Sequence, residues 1–104
     1  MSDRLPQLLR LLNADPNDAF TLYAIAQEHA KKSEHSQAVT FYDRCLAVDP
    51  TYLYAYYHKA RSLACCSQKD DAIATANAGL AAAKKADDSH AASELLALVL
   101  DLKD

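Results

Sequence analysis

The residues able to do covalent or metal chemistry in this chain are few and poorly spaced for it. Cys65 and Cys66 are adjacent. Redox dithiols and zinc sites need a C-x-x-C spacing, and zinc needs a second pair that is absent here. With Cys45 the cysteines number three, an odd count that makes no disulfide framework. We read Cys65 and Cys66 as small buried hydrophobes. His29, His35, His58 and His90 supply no two imidazoles one helical turn apart, so neither they nor their combination with Cys45 predicts a metal site. Asp70-Asp71 and Asp87-Asp88 fall at expected helix starts, where carboxylates complement the helix dipole. They read as caps, not as catalytic dyads. A single glycine, Gly79, leaves no phosphate-cradling loop, and no serine stands in a nucleophile elbow. The expectation is a non-enzymatic protein with no cofactor and no metal.

Helices must carry whatever these residues do instead. Ala and Leu dominate the 104 residues, β-branched residues are sparse, and the length suits one domain. The expected class is all-α. Asp15-Pro16 and Asp49-Pro50 lie 34 positions apart and each opens a similar helix-turn-helix pattern. A period of that size marks a stacked array of helical hairpins.

The expected helices follow from caps and periodicity. The first covers residues 4–13, with Asp3 as cap and Pro6 in its first turn. Its ending, "RLLNADP", parallels "RCLAVDP" at Arg44–Pro50, so it reads as the second half of a truncated repeat. The second starts near Asp18 with Asn17 as cap and runs to about Lys32. The third covers about Glu34 to Val48 and stops at Asp49-Pro50. The fourth runs from after Thr51 to about Cys65. The Ala-rich fifth covers about Lys69 to Lys85, with no Pro to close it. Asp87 or Asp88 caps a last helix to about Lys103. Short connections imply antiparallel neighbours.

The two units, 19–50 and 53–84, resemble tetratricopeptide repeats. The large position near the start of the first helix is Leu22, then Tyr56. The small positions are Ala26 and Ala60, Ala38 and Ala72, Cys45 and Gly79. Short side chains there let paired helices approach closely. Gly79 inside a helix costs about 1 kcal/mol against Ala and is expected to serve a close helix contact. The pattern departs at His29, where Tyr is usual, and in the second unit at Lys59, Ala76 and Lys84. With residues 4–13 before and 88–103 as a capping helix after, the implied architecture is a single domain over 1–104: a mini-solenoid of about six helices. It resembles small free-standing bacterial tetratricopeptide proteins.

The resemblance implies a protein-interaction module whose first helices line a concave groove. The lining residues carried over are Phe20, Tyr23, Gln27 and Lys31, then Tyr54, Tyr57, His58 and Arg61. Phe20–Tyr23–Gln27 and Tyr54–Tyr57–Arg61 each fall on one helix face. Tyr and Arg are favoured at binding hot spots, and the face suits a short peptide carrying acids. The alternative is that Phe20 and Tyr54 pack only on the neighbouring hairpin, and Tyr23 and Tyr57 on the flanking helices. Some family members grip a C-terminal carboxylate with Lys, Asn and Arg. Tyr23 and Gln27 stand where Lys and Asn would be, so that grip is not expected.

The last helix carries Leu95, Leu96, Leu98, Val99, Leu100 and Leu102, more apolar surface than one seam needs. Leu95, Val99 and Leu102 would seal the fifth helix. Leu96 and Leu100, neighbours one turn apart, would then form an outer edge for a homodimer, the alternative being an edge on the opposite side led by Leu98. Burial of both edges inside the fold is the alternative.

A formal charge of −3 gives no electrostatic footprint for nucleic acid or anionic lipid. Lys31, Lys32, Lys59 and Arg61 make at most a weak basic strip. Leu95–Leu100 is the longest apolar run, far short of a membrane span. The opening "MSDRLPQLLRLLN" does not read as a signal peptide. The expected location is the cytoplasm and the expected partner an unidentified protein or peptide.

Overall fold

A computed structural model describes residues 3–104; Met1 and Ser2, the first two residues of the expected domain, lie outside the described residues. Six helices follow one another: α1 Leu5–Ala14, α2 Ala19–Lys31, α3 His35–Val48, α4 Leu53–Cys65, α5 Lys69–Lys85 and α6 Ser89–Lys103. No strand occurs among the described residues. The all-α expectation holds. Successive helices pack on one another, α2 on α3 and α4 on α5 most extensively, and α6 closes on α5 and touches α4.

The repeat is visible in the connections. Asp15 and Asp49 each accept a backbone N–H two residues on through Oδ1, from Asn17 at 3.3 Å and Thr51 at 3.0 Å. These local turns lead the chain out of one hairpin and into the next. Asn17 is therefore a turn residue and not the cap expected of it; the cap position is Asp18, whose carboxylate accepts from the Thr21 hydroxyl. Within each hairpin the first helix ends at a left-handed serine, Ser33 at φ 61° and Ser67 at φ 60°. Ser33 N bonds Ala30 O and Glu34 N bonds His29 O; Ser67 N bonds Ala64 O and Gln68 N bonds Leu63 O. This paired closure satisfies carbonyls that would otherwise be stranded at the helix end.

α5 ends the same way at Asp87, φ 57°, where Asp88 N bonds Ala83 O. Asp88 then caps α6 by accepting from Ala91 N at 3.0 Å. Of the two acid pairs only Asp88 is a true cap. Asp70 and Asp71 lie inside the first turn of α5, after the cap position Gln68, and act on the dipole alone. Asp3 accepts from Leu5 N at 3.0 Å, holding the start of α1.

The small positions sit where helices cross. Ala26, Ala38, Cys45, Ala60, Ala72 and Ala76 are all fully buried. Tyr42 is buried among Leu22, Ile25 and Ala26 in the first half of the core. In the second half Ala76 stands in its place, and Leu98 and Val99 of α6 share the cluster with Ala60, Leu63 and Ala72. The small Ala76 thus leaves room that the last helix fills. Leu95 joins Ala83 and Ala91, against Tyr56.

Both flanks of α6 are resolved. Leu95, Leu98 and Val99 are buried, whereas Leu96 is 48% and Leu100 57% exposed. The Leu98 side is core; the Leu96–Leu100 edge is open.

Candidate functional site

The first helices of the two hairpins, α2 and α4, run beside each other, and the start of α3 comes up between their C-terminal halves. Together they enclose an open cleft of about 280 Å³ lined by Gln27, Ala30, Lys31, His35, Tyr42, His58, Arg61, Ser62 and Cys65. Four of the expected groove residues therefore meet in one place: Gln27, Lys31, His58 and Arg61. Phe20, Tyr23, Tyr54 and Tyr57 do not line it.

Those four aromatics have different surroundings. Phe20 is 62% exposed. Tyr23 is half-buried in an aromatic cluster, its ring centroid 4.9 Å from Tyr52 and 6.0 Å from both Tyr42 and His58. Burial pushes its phenol up to about 12. Tyr54 donates its hydroxyl to Glu94 of α6 at 3.0 Å. Tyr57 packs toward α6 with Leu98 and Leu95 and lies edge-on to His58 at 5.2 Å.

Inside the cleft each polar group has a defined role. The Tyr42 hydroxyl donates to Gln27 Oε1, which pins the amide. His35 Nδ1 is 3.2 Å from Ser62 Oγ, tying the start of α3 to α4. Lys31 is neutralised by Glu28, Nζ to Oε2 2.8 Å. His58 lies parallel to Tyr42, 6.4 Å between centroids. Burial holds its imidazole below the ordinary value, and the nearby Arg61 charge adds to that.

Arg61 is the exception. Its guanidinium lies 5.9 Å from the Tyr57 ring centre and makes no ion pair among the described residues. The other cations of the weak basic strip are spent: Lys32 on Asp3 at 2.7 Å and Lys59 on Asp43 at 2.6 Å, in addition to Lys31. No Asp or Glu lines the cleft. A molecule of net charge −3 therefore presents, in this open cleft, a guanidinium with no ion pair among the described residues, sharing the lining with two imidazoles.

Sequence reasoning missed His35, Ser62, Tyr42, Ala30 and Cys65 as lining residues. His35 and Tyr42 belong to a second helix, whereas the expected groove was drawn from first helices alone. Cys65 and Cys66 were expected to be buried, and this is corrected: Cys65 is exposed at the cleft rim and Cys66 is half-buried. Cys65 is the last residue of α4 and Cys66 its C-terminal cap position, beyond the close helix crossing. Only Cys45 is a core thiol; burial pushes it up to about 11, out of reactive range.

Comparison with known proteins places this geometry. No family model matches the chain, and no curated protein does. Solved structures do. The crystal structure of a tetratricopeptide repeat domain protein from Salinibacter ruber is 34% identical, covers 83% of this chain and 97% of its own, and superposes with a TM-score of 0.76. Its solution structure gives 35% identity, 86% and 90% coverage and 0.78. The yeast Sti1 TPR2B domain, solved as a complex with pHsp70, reaches a TM-score of 0.90 over 95% of this chain and 79% of its own, at 19% identity. That last likeness is one of fold. The Salinibacter identity extends over most of both chains, and the chain belongs to the tetratricopeptide repeat family.

Proposed function

We propose that this protein is a non-enzymatic interaction module that holds a peptide segment of a partner on the face of α2 and α4, centred on the cleft at Arg61. The observation that carries the reading is the unpaired Arg61 guanidinium in a cleft with no acid in its lining. A surface cation kept free beside aromatic rings is what a hot spot needs. Exposed Phe20 would extend the contact along α2. The Sti1 domain, solved as a complex with pHsp70, supports partner binding as a use of this fold. No described helix is long and apolar enough to cross a membrane, and the cytoplasm remains our proposed location.

Selection of peptides from a displayed random library tests the reading. Peptides recovered on the wild type are expected to lose about 1–3 kcal/mol of affinity on Arg61→Ala and on Phe20→Ala, with helicity unchanged by circular dichroism. Recovered peptides that bind both variants as tightly as wild type would place the site elsewhere.

A second reading is favoured by one observation. Counted from their first residues, Leu22 and Ala26 are fourth and eighth in α2, Tyr56 and Ala60 in α4, and Ala92 and Leu96 in α6. In the first two helices this face meets the hairpin partner. In α6 the eighth residue is a large Leu, 48% exposed, where close pairing requires Ala. That edge suits a second copy of the chain in place of another repeat helix.

A further inference from the structure

The cleft at Arg61 has more chemistry than a general peptide-binding face requires. We infer that it is a pocket for a single carboxylate side chain of the bound segment, held by Arg61 and with a proton taken up at His58 on binding. The inference rests on the groove reading above and narrows it to one ligand group.

The lining decides the ligand class. Arg61, His35, His58 and Ser62 can donate to an anion, and no Asp or Glu stands in the cleft to repel one. The Tyr42 hydroxyl is engaged by Gln27 Oε1, which leaves the Gln27 amide NH₂ as a further donor. Lys31 already has Glu28, so one uncompensated cation remains. One free positive charge matches a singly charged carboxylate better than a doubly charged phosphate. The C-terminal carbonyls of α2, which would oppose an anion, are turned to other work: Ala30 O accepts from Ser33 N and His29 O from Glu34 N.

The proton follows from the neighbours of His58. Around it stand Tyr23 and Lys31 of α2, His35 and Tyr42 of α3, and Tyr57 and Arg61 of α4, with Glu94 of α6 acting from further off. Burial and the Arg61 charge both disfavour the imidazolium, and only Glu94 favours it. A carboxylate seated on Arg61 cancels the repulsion and adds an opposite charge. His58 is then easier to protonate, and by reciprocity a protonated His58 binds the carboxylate more tightly.

Two small probes test this on the intact protein by NMR: N-acetyl-glutamate N-methylamide and its glutamine counterpart. The glutamate probe is expected to shift the Arg61 and His58 side-chain signals saturably in the millimolar range, more strongly at pH 6 than at pH 8. It should also move the His58 titration midpoint upward. The glutamine probe should do neither. Arg61→Gln should abolish the response, and Arg61→Lys, which keeps the charge, should retain part of it. Equal responses to both probes, no response, or a response that survives Arg61→Gln overturns the pocket. The two readings fail separately. If library peptides need Phe20 yet the glutamate probe ignores the cleft, the groove stands and the pocket falls. If the probe binds at Arg61 and the peptides ignore Phe20, the pocket stands and the extended groove falls.

Discussion

Gly79 and Tyr56 lie so close across the α4–α5 hairpin that a methyl group on residue 79 would stand 2.5 Å from the Tyr56 β-carbon and 3.0 Å from Leu95 Cδ2. The first of these atoms is fixed to the backbone of α4. It cannot rotate away, so the helices would have to separate.

Gly79→Ala therefore sets two effects against each other. Helix propensity favours Ala by about 1 kcal/mol. Overpacking of a tight crossing costs about 1–3 kcal/mol. With the clash at a β-carbon on one side and Leu95 on the other, overpacking should win, and the variant should be less stable by about 1 kcal/mol. Urea unfolding measures the difference. A more stable variant would show that α4 and α5 have slack at this crossing.

Ser33 and Ser67 point the other way. Both hold a left-handed backbone without being glycine, at φ 61° and 60°, and among the described residues neither side chain has a hydrogen-bond partner. Ser67→Gly should relieve the strain at the close of α4, net of the added flexibility of the unfolded chain, and stabilise by about 0.5 kcal/mol. Ser33→Gly should do the same for α2. Thermal midpoints of the single and double variants check this, and near-additive gains are expected because the two turns share no partners.

His58 should leave a mark on stability as pH changes. Its imidazole is held low in the fold, first by burial and then by Arg61. The unfolded chain therefore binds this proton more readily. The contribution of neutral His58 is fully present above the ordinary imidazole value, about 6.5, and is lost as pH falls below it. His58→Gln should flatten this part of the stability profile between about pH 7 and 5. An identical slope in wild type and variant would show that His58 titrates in the fold as it does in the unfolded chain.

Much of this fold is legible in the residue order. Asp15-Pro16 and Asp49-Pro50 mark the repeat because the same local hydrogen bond recurs at each. Gly79 announces a crossing because nothing else excuses glycine in a helix. The candidate site is less legible, because a helix face does not reveal what stands opposite it. Tyr23 and Arg61 read alike as groove residues, yet the stacking of α2 on α4 commits Tyr23 to Tyr52 and His58 and leaves Arg61 free. His35 enters the cleft through a bond to Ser62, 27 residues on, a pairing that no local pattern encodes. Cys65 escapes burial because it lies one turn past the crossing at Ala60.

The edge of α6 gives the last prediction. Leu96 and Leu100 project one turn apart, and Ser93 and Ala97 lie exposed beside them. A ridge of large side chains next to a furrow of small ones is self-complementary, as a two-fold contact requires. Two copies of α6 can set ridge into furrow and furrow onto ridge. The helix is 15 residues long, about 22 Å, so its edge alone falls short of the roughly 800 Å² per partner of a standard interface. A weak dimer is therefore expected, in exchange with monomer at micromolar concentration. Light scattering after size exclusion should show the apparent mass rising with loading. Leu96→Glu combined with Leu100→Lys should give a monomer at every concentration and keep its helicity, since both side chains are already about half in water. A wild type that stays monomeric at high micromolar concentration would reject the dimer. A double variant that unfolds would show that this edge belongs to the core after all, despite the exposure of both leucines.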